Sequence, residues 1–164
     1  MKKYTFDLNK IVDFLKLYKE DLQTLYTWNA KIDRLVDLNI LTELEFKELS
    51  KKHSYDREII LKKKINLKLN EFYKSDKKRF DDLCLWIIKD WGGILTAKDS
   101  NTIELIDDFL NSEKQSYKRI ASSSKVGSFM YPDKYIIYDS RVAYSLNWII
   151  LSKNAGTFFF PIPN

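Results

Sequence analysis

RIASSSKVGSFMYPDKYIIYDSRVAYSLNWIIL, residues 119–151, divides into four parts. A short turn rich in serine, Ser122 to Ser124, ends in Lys125. An apolar segment from Val126 to Tyr131 follows and is predicted to be helical, until Pro132 and Asp133 break it. An extended run, Tyr135 to Tyr138, then delivers Asp139 to the start of a second helix, Ser140 to Leu151. The spacing thus sets one lysine and one aspartate near the beginnings of two helices, across a compact turn. Helix starts are where backbone N–H groups favour negative charge.

The chain leading up to this stretch also reads as helical. Only four glycines and three prolines occur in 164 residues, and all fall after residue 90. Apolar residues at 11, 15, 18, 22 and 25 predict one helix over 9–26, capped by Asp7 or Asn9, with a turn at 28–30 behind it. Ile32, Leu35 and Val36 continue the pattern over 31–39. Thr42 followed by Glu45 has the form of a capping box and opens a helix to about Lys52. A longer helix over 55–73 carries Leu61, Ile65, Leu69 and Phe72 on one side, with Lys62, Lys63, Lys64 and Lys68 on or beside the other.

Ser75 or Asp76 then caps a helix over 77–90, whose Phe80, Leu83, Cys84, Ile87, Ile88 and Trp91 form a wide apolar stripe. Gly92 and Gly93 end it, either as a left-handed cap or as a place where backbone approaches a ligand closely. A short helix over 102–110 and a second capping box at Ser112–Gln115 lead to the serine turn. The tail, Thr157 to Asn164, is rich in phenylalanine and proline, cannot be helical, and is expected to pack back on the domain. The reading is all-α: a single compact helical domain over 1–164, with roughly seven to nine helices.

Composition narrows the function. One cysteine, Cys84, and one histidine, His53, exclude a disulfide framework and a zinc site of the usual spacing, and no cofactor or metal is expected. No run approaches the ~20 apolar residues of a membrane span. The N-terminus has no apolar core of the signal-peptide kind, so a reducing, cytoplasmic setting is expected. The net charge is +5, and residues 51–80 hold eleven Lys/Arg against four Asp/Glu. A basic helix over about 51–79 is compatible with a phosphate backbone, or with a solvated face and no such partner.

A lysine at a helix–turn–helix junction, followed by an aspartate heading a helix as in Ile137-Tyr138-Asp139-Ser140-Arg141-Val142, is similar to the helix-hairpin-helix DNA glycosylases. The run SKVGSFMYPDKYIIYDSRVAYSL, residues 124–146, resembles most a bacterial family of 8-oxoguanine DNA glycosylases, and a weaker similarity runs through Trp86 to Ile94. The resemblance implies a helix-hairpin-helix-like element over 119–151. It also implies excision of an oxidised purine from duplex DNA, possible strand nicking, and DNA as the partner.

In that chemistry the bond from base to deoxyribose breaks through an oxocarbenium-like transition state, which a fixed carboxylate stabilises. Asp139 is the residue implied. A lysine amine that attacks the sugar forms a Schiff base, and Lys125 is the residue implied. Such enzymes also need a pocket for the extruded base, for which Tyr131, Tyr135, Tyr138 and Trp148 lie near in sequence. Ser122, Ser123, Ser124 and Arg141, with Lys62, Lys63 and Lys64 of the basic helix, are the expected DNA contacts. The plainer readings are a surface lysine, an ordinary helix cap at Asp139, and an Arg141 that pairs with Asp133 or Asp139. They correspond to a non-catalytic DNA-binding module or a helical protein-interaction domain. The sequence specifies no oligomeric state. The catalytic reading requires the Lys125 ammonium and the Asp139 carboxylate to lie within ~8 Å and to open on one cleft.

Overall fold

A computed structural model describes residues 5–95, 98–114 and 116–163. Among these the chain is all-α, with nine α-helices and a single π-helical turn: α1 (Leu8–Lys16), α2 (Leu22–Leu25), α3 (Arg34–Asp37), α4 (Glu43–Ser50), α5 (Ser54–Ser75), α6 (Lys77–Trp86), the π turn (Ile87–Trp91), α7 (Asp99–Asn111), α8 (Ile120–Met130) and α9 (Ser140–Ser152). None of these helices is long and apolar enough to cross a membrane.

The core is built where the apolar spacing is strictest. Leu61, Ile65, Leu69 and Phe72 form one buried edge of α5. They meet Phe80, Leu83, Cys84 and Trp86 of α6, Ile87 and Ile88 of the π turn, and Val126, Phe129 and Met130 of α8. Full burial of an apolar side chain of this size contributes about 1.5–3 kcal/mol relative to exposure, so this three-way junction dominates the fold. Burial pushes the Cys84 thiol up, with the Asp81 charge adding to it; Cys84 packs as a small apolar group.

Local capping signals set several boundaries. Thr42 and Glu45 close the expected capping box: the Thr42 N–H donates to Glu45 Oε2 at 2.8 Å and the Glu45 N–H to Thr42 Oγ1 at 3.2 Å. Asp76 accepts the Arg79 N–H at 3.1 Å and starts α6. The second capping box reaches Gln115, which lies outside the described residues.

The single helix expected over 9–26 is two helices. α1 packs on α9, whereas α2 packs on α5. One straight helix cannot follow both partners, and the chain turns between Leu17 and Asp21. A smaller cluster of Ile11, Ile149, Ile150 and Ala155, with Phe6, Phe14 and Phe160 against it, ties α1, α9 and the tail together. The tail returns to the domain as expected, through Phe160. Its ring stacks on Phe6 at 5.2 Å, and Asn147 clasps its backbone on both sides, at 2.7 and 2.8 Å. Phe158 and Phe159 remain exposed.

Candidate active site

Two charged residues are buried among those described, Lys125 and Glu58, each 5 % exposed. Lys125 lines a cleft, and Glu58 lies behind the same lining, bonded to Trp91.

Lys125 does not stand at a helix start. The serine run expected as a turn lies inside α8, which begins at Ile120 behind Arg119 in the left-handed region (φ 51°). Consecutive serines resemble a turn because their hydroxyls compete for nearby backbone groups. Here Ser124 Oγ instead accepts the N–H of Tyr138 at 3.0 Å. That tertiary bond removes the competition and fastens the extended run 135–138 to α8. It also brings the next residue, Asp139, to the lysine.

The Asp139 carboxylate is held from two sides. Oδ1 accepts the N–H groups of Arg141 and Val142, each at 3.1 Å, and caps α9 as expected. Oδ2 accepts from Lys125 Nζ at 3.1 Å, well inside the expected separation. The ammonium also donates to the Ala121 carbonyl at 3.1 Å, one turn back in α8. Burial by itself would raise the Asp139 carboxyl. The Val142 N–H, the Lys125 ammonium and the Arg141 N–H outweigh it and hold the group below its ordinary value.

Gly92 supports the lysine. A Cβ there would stand 2.7 Å from the Ile88 carbonyl, 2.9 Å from that of Ile87 and 3.0 Å from Lys125 Cδ. The close approach is thus first to the carbonyls of the π turn and then to the lysine stem, while Gly93 (φ 70°) provides the left-handed cap. Gly92→Ala is expected to destabilise the fold by about 1–3 kcal/mol, as overpacking does. It should also move the Lys125 amine, which urea denaturation together with a crystal structure of the variant would check.

The cleft encloses about 660 Å³, within the ~300–1,000 Å³ common for ligand sites. Lys125, Asp139, Gly92, Ser122 and Arg119 form part of its lining, and Tyr26, Trp28, Lys62 and Trp91 another. Arg141 joins the two. Its guanidinium lies 5.0 Å from the Trp28 ring centre, rather than against Asp133 or Asp139, in a cation–π contact. Trp28 Nε1 donates to the Trp91 carbonyl at 3.1 Å, and the two rings meet edge to face. The π turn puts Trp91 at this position; such turns recur at functional sites.

Of the expected DNA contacts, Ser122, Lys62 and Arg141 line the cleft. Ser123 and Ser124 are buried in α8, Lys63 is exposed on α5, and Lys64 is paired with Glu45. The four aromatic residues considered for a base pocket lie elsewhere. Tyr135 and Tyr138 line a second pocket of about 400 Å³ beside Phe109. Tyr131 packs on Tyr135, and Trp148 on Phe14. Tyr26, Trp28, Trp91, Glu58 and Arg119 were not legible as site residues. No local pattern marked them, since Tyr26 falls at the end of the helix expected over 9–26 and Trp28 in the turn behind it. Among the described residues no group of three His, Cys, Asp or Glu could hold a metal ion. No protein-family model matches this chain, and neither does any curated protein or solved structure.

Proposed function

We propose that this protein is a DNA glycosylase that excises an oxidised purine, such as 8-oxoguanine, from duplex DNA, with a subsequent strand-nicking step. The observation that carries the reading is a buried amine 3.1 Å from a helix-capping carboxylate, both facing a single cleft. In this reading α8, the connection 131–139 and α9 act as the helix-hairpin-helix element.

Asp139 is the electrostatic stabiliser. Its charge is fixed by two backbone N–H groups before any reaction begins, which is how preorganised groups lower a barrier. Lys125 is the nucleophile. One ammonium proton passes to solvent water in the cleft before attack, so that Asp139 keeps its charge. The nitrogen then bonds to the sugar carbon as the carbon–base bond breaks, and a second proton from that nitrogen neutralises the departing base. The bond from that carbon to the sugar ring oxygen then breaks, the oxygen takes a proton from water to become a hydroxyl, and the nitrogen lone pair forms the protonated Schiff base from which the strand is cut. Tyr26, Trp28 and Trp91 supply aromatic surface for an extruded base, while Arg119 and Arg141 supply positive charge for flanking phosphates.

Incubation with a duplex carrying one 8-oxoguanine, in the presence of borohydride, tests the reading. A covalent protein–DNA adduct is expected. Absence of both adduct and base release across a panel of damaged bases would remove the glycosylase reading, and a gel shift without either would leave a non-catalytic DNA-binding module. Duplex affinity should also fall with salt, with a log–log slope of about −2 if Arg119 and Arg141 each neutralise one phosphate. A titration between 50 and 200 mM salt, the range in which such effects are large, measures it.

A helical protein-interaction domain is the second reading. It is favoured by the exposed apolar side chains of Leu8, Val12 and Leu15 on α1 and of Tyr144, Trp148 and Leu151 on α9, since clustered apolar exposure marks interaction surfaces. No gel shift with undamaged duplex at low salt would support it.

A further inference from the structure

We infer that Lys62 is a specificity-determining residue of the cleft, donating a hydrogen bond to an exocyclic carbonyl oxygen of the extruded base, and that Glu58 is the positioning residue that holds it there. The inference rests on the glycosylase reading and adds to it the chemical feature by which a base is selected.

Glu58 is a carboxylate sealed behind the cleft lining. Trp91 Nε1 donates to both of its oxygens, at 2.9 and 3.1 Å. Lys62 Nζ stands 3.6 Å from Oε1, one helical turn along α5. Burial first, and then the Glu58 charge, push the Tyr26 phenol well above its ordinary value. A carboxylate buried this deeply is expensive unless its partners justify it. All three partners line the cleft.

Of the polar hydrogens around Glu58, those of Lys62 remain for a ligand. The Trp91 N–H is engaged by Glu58, and the Trp28 N–H by the Trp91 carbonyl. Lys62 carries three hydrogens and meets one carboxylate oxygen. Its ammonium lies 5.4 Å from the ring centres of both Trp91 and Phe129, so the long side chain is held on two aromatic faces. An ammonium donates only and never accepts. It therefore favours a base edge that presents a carbonyl, as 8-oxoguanine does, and opposes an edge that presents only an amino group. A phosphate would satisfy the same ammonium, but the ring contacts and the buried Glu58 draw it toward the aromatic part of the lining, where a base would stack.

Two duplexes separate these roles: one bearing 8-oxoguanine and one bearing an abasic site, which has the sugar but no base. Lys62→Met keeps the stem and removes the donor. It is expected to lower kcat/KM for 8-oxoguanine release by about 10- to 100-fold, the range for a hydrogen bond to a charged group, and to leave borohydride trapping on the abasic duplex at the wild-type level. Glu58→Gln should shift the ratio of the two activities in the same direction, which a merely structural role would not do. Lys62 is partly exposed, so its variant remains informative even if Glu58→Gln fails to fold.

Equal losses on both duplexes, with a salt slope smaller by about one, would make Lys62 a phosphate contact and overturn the inference. So would unchanged 8-oxoguanine release. If the wild-type protein neither traps on the abasic duplex nor releases any base, the glycosylase reading itself fails and this inference with it. Trapping by the wild type together with indifference to Lys62→Met sinks the inference alone.

Discussion

Asp139→Ala is expected to destabilise the protein by about 3–5 kcal/mol, as measured by urea denaturation, because it strands a buried ammonium. Lys125 is 5 % exposed. Once Asp139 is truncated, the Ala121 carbonyl is the remaining hydrogen-bond partner shown for the Lys125 amine. Loss of the α9 cap contributes about 1 kcal/mol of the total. The reverse change should cost less. Lys125→Met leaves an Asp139 that still accepts two backbone N–H groups and has a side chain 20 % exposed. The charge left behind is thus hydrogen-bonded and partly solvated, and the cost of breaking a pair is largest when the remaining charge is buried and uncompensated. Equal costs for the two variants would mean that water reaches the ammonium and that the pair is not held in a dry site.

The same pair makes stability depend on pH in a definite sense. The Asp139 carboxyl is held below its ordinary value in the fold. Its contribution is therefore complete above the unfolded-state value of about 3.9 and is lost as pH falls through the lower native value. Glu45, held at about 2 chiefly by the Lys64 ammonium, adds to the same acid limb. Its side chain is 41 % exposed, so solvent screening keeps that contribution small. Denaturation midpoints should be insensitive to these two groups between pH 5 and 7 and should fall below about pH 4. In Asp139→Asn that acid limb should be shallower.

Lys125→Gln is expected to abolish the borohydride adduct on a damaged duplex, the largest functional effect of any single substitution. Glutamine keeps a polar group near the Asp139 carboxylate but has no amine with which to form a Schiff base. Asp139→Asn keeps the helix cap and removes the negative charge, and base release should fall by about 10²–10³-fold, the range seen when one preorganised electrostatic group is removed. The two variants differ in kind, since only the first removes the covalent chemistry. An adduct that persists in Lys125→Gln would place the nucleophile on another amine, and the buried pair would then be structural.

The parts legible from sequence are those that local chemistry specifies. Leu61, Ile65, Leu69 and Phe72 repeat at helical spacing and are buried together. Thr42 with Glu45, and Asp76 with Arg79, are caps made within four residues of chain. Asp139 heads α9 for the same reason: the N–H groups that it accepts lie two and three residues ahead. The closeness of Lys125 to Asp139 was also expected, but for an incomplete reason, since the lysine was placed at a helix start.

What the amino-acid order by itself determined is therefore the helical class, the core stripes and the cap that immobilises Asp139, because each depends on residues a turn or less apart. Only the tertiary structure decided that the three serines lie inside α8, since a bond from Tyr138, 14 positions away, uses the Ser124 hydroxyl. It alone split the first helix between two packing partners. It also assembled Tyr26, Trp28, Lys62 and Trp91 into one lining, with Glu58 behind it. Those residues belong to separate segments with no common period, and contacts of that kind come into being only when distant parts of the chain are packed against one another.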